Sequence, residues 1–103
     1  MREVTDRDFD NVVGQAVIPV LVEFWKPGCG SCRALMHELE RMESDVTGKV
    51  ILLTMNVDEN FQIPAELEVH SLPTLALYHR GEFERFIGGL GTREEILKQL
   101  RLM

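Results

Sequence analysis

The stretch EFWKPGCGSCRALM, residues 23–36, holds both cysteines of the chain, three residues apart. It stands where the β-branched and aromatic run Val20 to Trp25 gives way to a helical pattern. The run is short and apolar, so it reads as a buried strand. Pro27 and Gly28 supply the bend, and a helix is predicted to begin near Gly30. From Ser31 onward the apolar positions Leu35, Leu39, Met42 and Val46 recur at spacings of 4, 3 and 4, which is one face of a helix reaching Val46. Gly48 is its natural stop.

Placement at a helix start gives the cysteines their chemistry. Residues i and i+3 of a first turn are neighbours, about 5 to 6 Å apart, and a disulfide spans that separation. The first N–H groups of a helix lack partners within it and form the positive end of its dipole. Both features favour a thiolate on Cys29, the form that attacks disulfides. Lys26 and Arg33 flank the pair and add to this if they point toward it. Cys29, the outer residue, is the expected nucleophile. Cys32, one turn deeper, is the expected resolving thiol.

The rest of the chain bounds this reading. With 103 residues there is room for one domain spanning 1–103 and one core. A net charge of −6 argues against nucleic acid and anionic membrane as partners, since both select basic patches. The most apolar run, AVIPVLVEFW, is broken by Pro19 and Glu23, too short for a membrane span. The start MREVTDRDFD lacks the basic head and apolar middle of a signal peptide, so a cytoplasmic address is expected. Two close cysteines in a reducing compartment point to redox or metal chemistry rather than a structural staple.

Thr5-Asp6-Arg7-Asp8 has the form of a capping box and predicts a helix through FDNVV. A second buried strand is expected over 50–57 and a short helix with Pro64 over 61–69. A third strand is expected over 74–79, a turn at Gly81 and a half-exposed strand over 83–87 ended by Gly88 and Gly89. Thr92-Arg93-Glu94-Glu95 opens a last helix whose apolar face is Ile96, Leu97 and Leu100. A small strand is expected around Glu3 and Val4. Strands separated by helices imply parallel crossovers, and the tight turn implies an antiparallel pair. The fold class is therefore α/β: a mixed central sheet of four or five strands with helices on both faces. The run GGLGT lacks the lysine and spacing of a phosphate loop. The acidic runs DRDFD and VDEN read as solvated caps and turns.

The segments VLVEFW, CGSCR, MNVDEN, LPTLALYHRGE and FIGGL stand in one order and spacing, and in these the chain resembles the thioredoxin family nearly end to end. The resemblance implies a thioredoxin fold and a thiol–disulfide oxidoreductase that reduces protein disulfides through a reversible Cys29–Cys32 disulfide. No further cofactor and no metal are expected. A thioredoxin-reductase-like electron donor and disulfide-containing target proteins are the implied partners, and a monomer is expected. Pro73 matches the family's cis-proline beside the cysteine pair. Leu72 is implied to offer its backbone to an extended substrate segment, and Gly88 to let that segment approach. Trp25 matches the indole packed on the site. Gly28, Gly30 and Ser31 belong to the same contact surface. Glu23 falls at the buried acidic position beneath the inner cysteine, where it relays a proton to or from Cys32.

Four residues depart from the family's usual pattern. Gly28 replaces a tryptophan, Ser31 a proline, Glu23 an aspartate, and Thr54 the lysine often paired with that acid. Ser31 restores a backbone N–H and adds a hydroxyl near the sulfur. Better thiolate stabilisation predicts a reduction potential above about −270 mV. Without a lysine, a buried Glu23 has a raised pKa. Zinc is disfavoured as the alternative use of the pair. It needs about four ligands, and His37, His70 and His79 sit on different predicted elements. The rival function is a redox-switched binding module that holds a partner on the Trp25, Leu72 and Gly88 surface.

Overall fold

The computed structural model describes residues 1–88 and 92–102. Its elements run β1 (Arg2–Glu3), α1 (Phe9–Gly14), β2 (Val20–Trp25), α2 (Gly30–Met42), β3 (Ile51–Asn56), α3 (Gln62–Glu66), β4 (Thr74–His79), β5 (Glu82–Ile87) and α4 (Arg93–Gln99). They form one five-stranded sheet in the order β1-β3-β2-β4-β5. β1 and β2 run parallel to β3, while β4 is antiparallel to β2 and to β5. The sheet is the mixed one expected from the alternation of strands and helices.

Period-two alternation along the central strands builds a separate core on each face. Leu21, Leu52, Leu75 and Leu77 face α2 and α4, meeting Leu35, Leu39, Met42, Ile96 and Leu97. Val20, Val22, Phe24, Leu53 and Met55 face α1 and α3, meeting Phe9, Val13 and Ile63. β2 is buried nearly throughout, as a central strand covered on both sides must be.

Several boundaries differ from the sequence expectation. α2 ends at Met42, not Val46. The chain then winds through turns in which Val46 N–H still bonds the Met42 carbonyl, keeping Val46 buried in the core. The apolar spacing continues past the regular helix because turns present the same side. Thr5 does not cap α1. Its hydroxyl and N–H both donate to the Asp8 carboxylate, at 3.2 and 2.7 Å, and the helix starts at Phe9. In β5, Tyr78 pairs with Phe83 and Leu77 with Arg85, leaving Glu84 as the extra residue of a bulge. Phe83 and Phe86 therefore share one face, and both are partly exposed. Gly81, at φ +82°, turns β4 into β5, and a Cβ there would meet Gly14 Cα at 3.2 Å. Thr92 caps α4 as expected, accepting from Glu95 N–H at 3.3 Å. Residues 89–91, with Gly89 and most of the GGLGT run, lie outside the described residues.

The acidic runs do more than face solvent. The Asp6 carboxylate accepts the N–H groups of Phe61, Gln62 and Ile63 at 2.7, 2.9 and 2.9 Å. It satisfies the open start of α3 from far along the chain. Asn60 donates to the Asn56 carbonyl and accepts from Asp6 N–H. Asn56 in turn accepts from Asp58 N–H and donates to Glu59. The VDEN loop is thus fixed by buried amides, and it holds Val57 and Asp58 beside the cysteine pair.

Candidate active site

β2 ends at Trp25, and the chain turns through Lys26, Pro27 and Gly28 into α2. Gly28 has φ +84°, a left-handed conformation that side chains disfavour. A side chain at this position would be strained in this turn. Cys29 is the N-cap of α2, and its Sγ accepts the Cys32 N–H at 3.2 Å. The Ser31 hydroxyl lies 3.6 Å from the same sulfur. Cys29 and Cys32 are joined in a disulfide with Cα atoms 5.2 Å apart. Cys29 is half-buried and Cys32 is 1% exposed, so only the outer sulfur is open to a large partner.

Two recesses meet at Cys29. A small cleft of about 90 Å³ is lined by Trp25, Gly28, Cys32, Arg33 and Met36, with Lys26 at its rim. On the other side, a groove of about 550 Å³ runs from Gly30 and Ser31 to Val57, Pro64 and Leu72. Lys26 also borders this groove, so both flanking cations stand in walls around the pair. A further groove, about 420 Å³, is lined by Pro73, Thr74, Phe86 and Gly88. Val69 and His70 border both grooves, joining them into one track past the sulfur. The Leu72–Pro73 peptide bond is cis. Gly88 exchanges two hydrogen bonds with the Gln99 side chain, one of them at 3.1 Å into Oε1.

Sequence reading missed Asp58 and His70 in these walls. No motif marks them, and they arrive there through the VDEN loop and the turn before Pro73. His37 is exposed on α2 beside Glu40, away from the pair. Among the described residues no cluster of three or more His, Cys, Asp or Glu is arranged to hold a metal.

Glu23 lies two residues from Leu21, on the sheet face covered by α2. Cys32 lies one turn before Leu35 on the inward side of α2. Strand and helix thus put the carboxyl and the inner sulfur into the same layer. Glu23 is fully buried, and neither carboxylate oxygen has a hydrogen-bond partner. Burial pushes its pKa up to about 8, because the charged form loses its hydration. A carboxyl held near neutrality can both accept and give a proton at physiological pH. The indole Nε1 of Trp25 is likewise buried without a partner.

Residues 1–101 match the family model described as Thioredoxin. The chain belongs to the thioredoxin family. It is 37% identical to the thioredoxin of Rickettsia bellii over 95 residues, covering 92% of this chain and 90% of that one. The thioredoxin of Staphylococcus epidermidis is 37% identical over 98 residues, covering 95% and 92%. That of Haemophilus influenzae is 40% identical over 79 residues, covering 77% and 74%. The sheet order and the helix-start cysteine pair are those of a thioredoxin fold. The chain is a protein thiol–disulfide oxidoreductase, with Cys29–Cys32 as its redox pair. No helix among the described residues is long and apolar enough to cross a membrane.

Proposed function

We propose that Cys29 is the nucleophile of a reductase cycle and Cys32 its resolving thiol. The observation that carries this is the asymmetry of the pair: Cys29 caps α2 at the meeting of the recesses, and Cys32 is buried beneath it. The Cys29 thiolate attacks a target disulfide, forming a mixed disulfide and expelling one target thiolate. Glu23 takes the proton from Cys32. The Cys32 thiolate attacks Cys29 Sγ, the Cys29–target bond breaks, and the second target thiolate leaves. The chain is left oxidised, and a thioredoxin-reductase-like donor returns two electrons. The target segment lies extended along Leu72, Pro73 and Gly88, with Trp25, Gly28, Gly30 and Ser31 against its other side. The reading includes a single domain over 1–103, acting as a monomer in the cytoplasm, with no further cofactor.

Reduction of insulin disulfides tests the roles. Cys29→Ser is expected at background rate. Cys32→Ser is expected to accumulate a stable mixed disulfide through Cys29. Turnover by Cys29→Ser would overturn the assignment.

The redox poise follows from the hydrogen bonds on Cys29. In the disulfide, Ser31 Oγ lies 3.6 Å and Cys32 N 3.2 Å from Cys29 Sγ, and donors so placed strengthen once that sulfur becomes a thiolate. Stabilising the thiolate stabilises the reduced form, so the potential is expected above about −270 mV. Equilibration with glutathione measures it, and Ser31→Pro is expected to lower it. A potential at or below that figure refutes the argument.

A further inference from the structure

To take a proton from Cys32, Glu23 must first give up the one that its burial favours, yet among the described residues it lines neither recess beside the sulfur pair. It is fully buried, and it does not line the cleft formed by Trp25, Gly28, Cys29 and Cys32. On the other side, the sheet register sets a polar row. Glu23 of β2 pairs with Thr54 of β3, and Thr54 pairs with Glu3 of β1. Registered neighbours point to the same face, on strands about 4.8 Å apart. The row runs from the centre of the sheet to its edge, where Glu3 is exposed. Thr54 is 5% exposed, and its hydroxyl already donates to Glu3 Oε1 at 3.4 Å. A hydroxyl also carries lone pairs. Glu23 makes no hydrogen bond in this structure, but the hydroxyl registered beside it has the lone pair to accept from the acid while it donates to Glu3, which neither valine nor the lysine it replaces can do.

We propose that Thr54 and Glu3 form the proton exit of Glu23, carrying to the sheet edge the proton that Glu23 must lose before it can take that of Cys32. The proposal rests on the reading of Glu23 as the base for Cys32. The steps balance on one proton. The Glu23 acid passes a proton to Thr54 Oγ as Thr54 passes its own to the Glu3 carboxylate, and Glu3 releases it to water. The Glu23 carboxylate so formed takes the proton of Cys32–SH, and the Cys32–Cys29 bond forms as the target thiolate leaves. Thr54 and Glu3 touch neither target nor sulfur, and they act only through Glu23. In the second half-cycle, when the reductase restores both thiols, the same row runs inward.

The test separates the two sulfur steps. Reduced full-length chain is mixed with excess nitrothiobenzoate disulfide in a stopped-flow instrument. The first release of coloured thiolate scales with reagent concentration and reports Cys29. The second does not, and reports attack by Cys32. Glu23→Gln is expected to slow the second phase and spare the first. Thr54→Val is expected to slow the second phase about tenfold, a small part of what general acid–base catalysis contributes. Thr54→Ser, which keeps the hydroxyl, is expected to recover most of that loss. Glu3→Gln, at an exposed site that leaves the core intact, is expected to slow the second phase about threefold. A slow Glu23→Gln beside a Thr54→Val or Glu3→Gln at wild-type rate overturns the exit and leaves Glu23 as the base. Equal slowing by Thr54→Val and Thr54→Ser also overturns it, because the hydroxyl is then not the agent. Glu23→Gln at wild-type rate overturns both readings.

Discussion

On the α1 and α3 side, β2 presents Val20, Val22 and Phe24, all buried and all apolar. On the α2 and α4 side the same strand presents Leu21, then Glu23, then Trp25. That second face carries a fully buried carboxyl without a hydrogen-bond partner and, in the half-buried Trp25, an indole N–H in the same state. One strand thus serves two purposes through its alternation. The first face contributes burial and nothing else. The second gives up stability at Glu23, in the same layer as the inner sulfur, and at Trp25, which lines the cleft with both cysteines. Desolvation, which makes Glu23 costly to the fold, also holds its pKa where proton transfer to a thiol is feasible.

The largest effect expected is on the apolar face. Phe24 is fully buried, and Phe24→Ala is expected to cost about 3 to 5 kcal/mol by urea unfolding. The folded fraction should keep the wild-type rate of thiol–disulfide exchange. A specific loss of exchange activity would break the division between the faces.

The next effect lies on the other face and reverses sign. The folded chain holds the Glu23 proton up to about pH 8, whereas the ordinary value is 4.5. The stability linked to this group is therefore fully present below about 4.5. It is lost as pH rises toward about 8, and the loss levels off above that. Glu23→Leu is expected to remove this slope and to be more stable than wild type by a few kcal/mol at about pH 9. Its Cys32 step should be slow. Urea midpoints taken across the pH range check the first statement, and unchanged slopes refute it.

The smallest effects compare the helix caps on the two sides. Asp6→Ala strips three acceptor contacts from the start of α3 and is expected to cost about 1 to 2 kcal/mol. Thr92→Ala removes one contact from α4 and is expected to cost about 0.5 to 1 kcal/mol. Amide exchange should show the first loss at Phe61 to Ile63 and the second at Glu95. Because Asp6 also steadies the loop that carries Val57 and Asp58, only the first should alter target affinity.

Much of this was legible in the residues because it is written locally. Apolar periodicity marked β2, β4 and the seam of α2. The Thr92 cap, the Gly81 turn and the cysteine spacing each need only neighbouring residues. The errors came where local and distant partners compete. Thr5 and Asp8 look like a cap and its box, but their groups satisfy each other and leave the helix to start at Phe9. Asp6 looked solvated because its partners lie on α3, beyond the reach of any local pattern. The apolar spacing of α2 overstates the helix, because the turns after Met42 continue it.

The sequence by itself determined the chemistry: two thiols across one helical turn, a dipole behind the outer one, and an acid two residues before the end of the preceding strand. Spacing and residue type suffice for these, since helix and strand geometry are the same in every protein. Tertiary structure decided what that chemistry can reach. Only packing buries Glu23 and leaves it without a partner. Only loops brought together by the sheet put Asp58 and His70 beside Cys29. Only the pairing of three strands sets Glu23, Thr54 and Glu3 in one row, because register is a property of neighbours that the chain meets far from each in sequence.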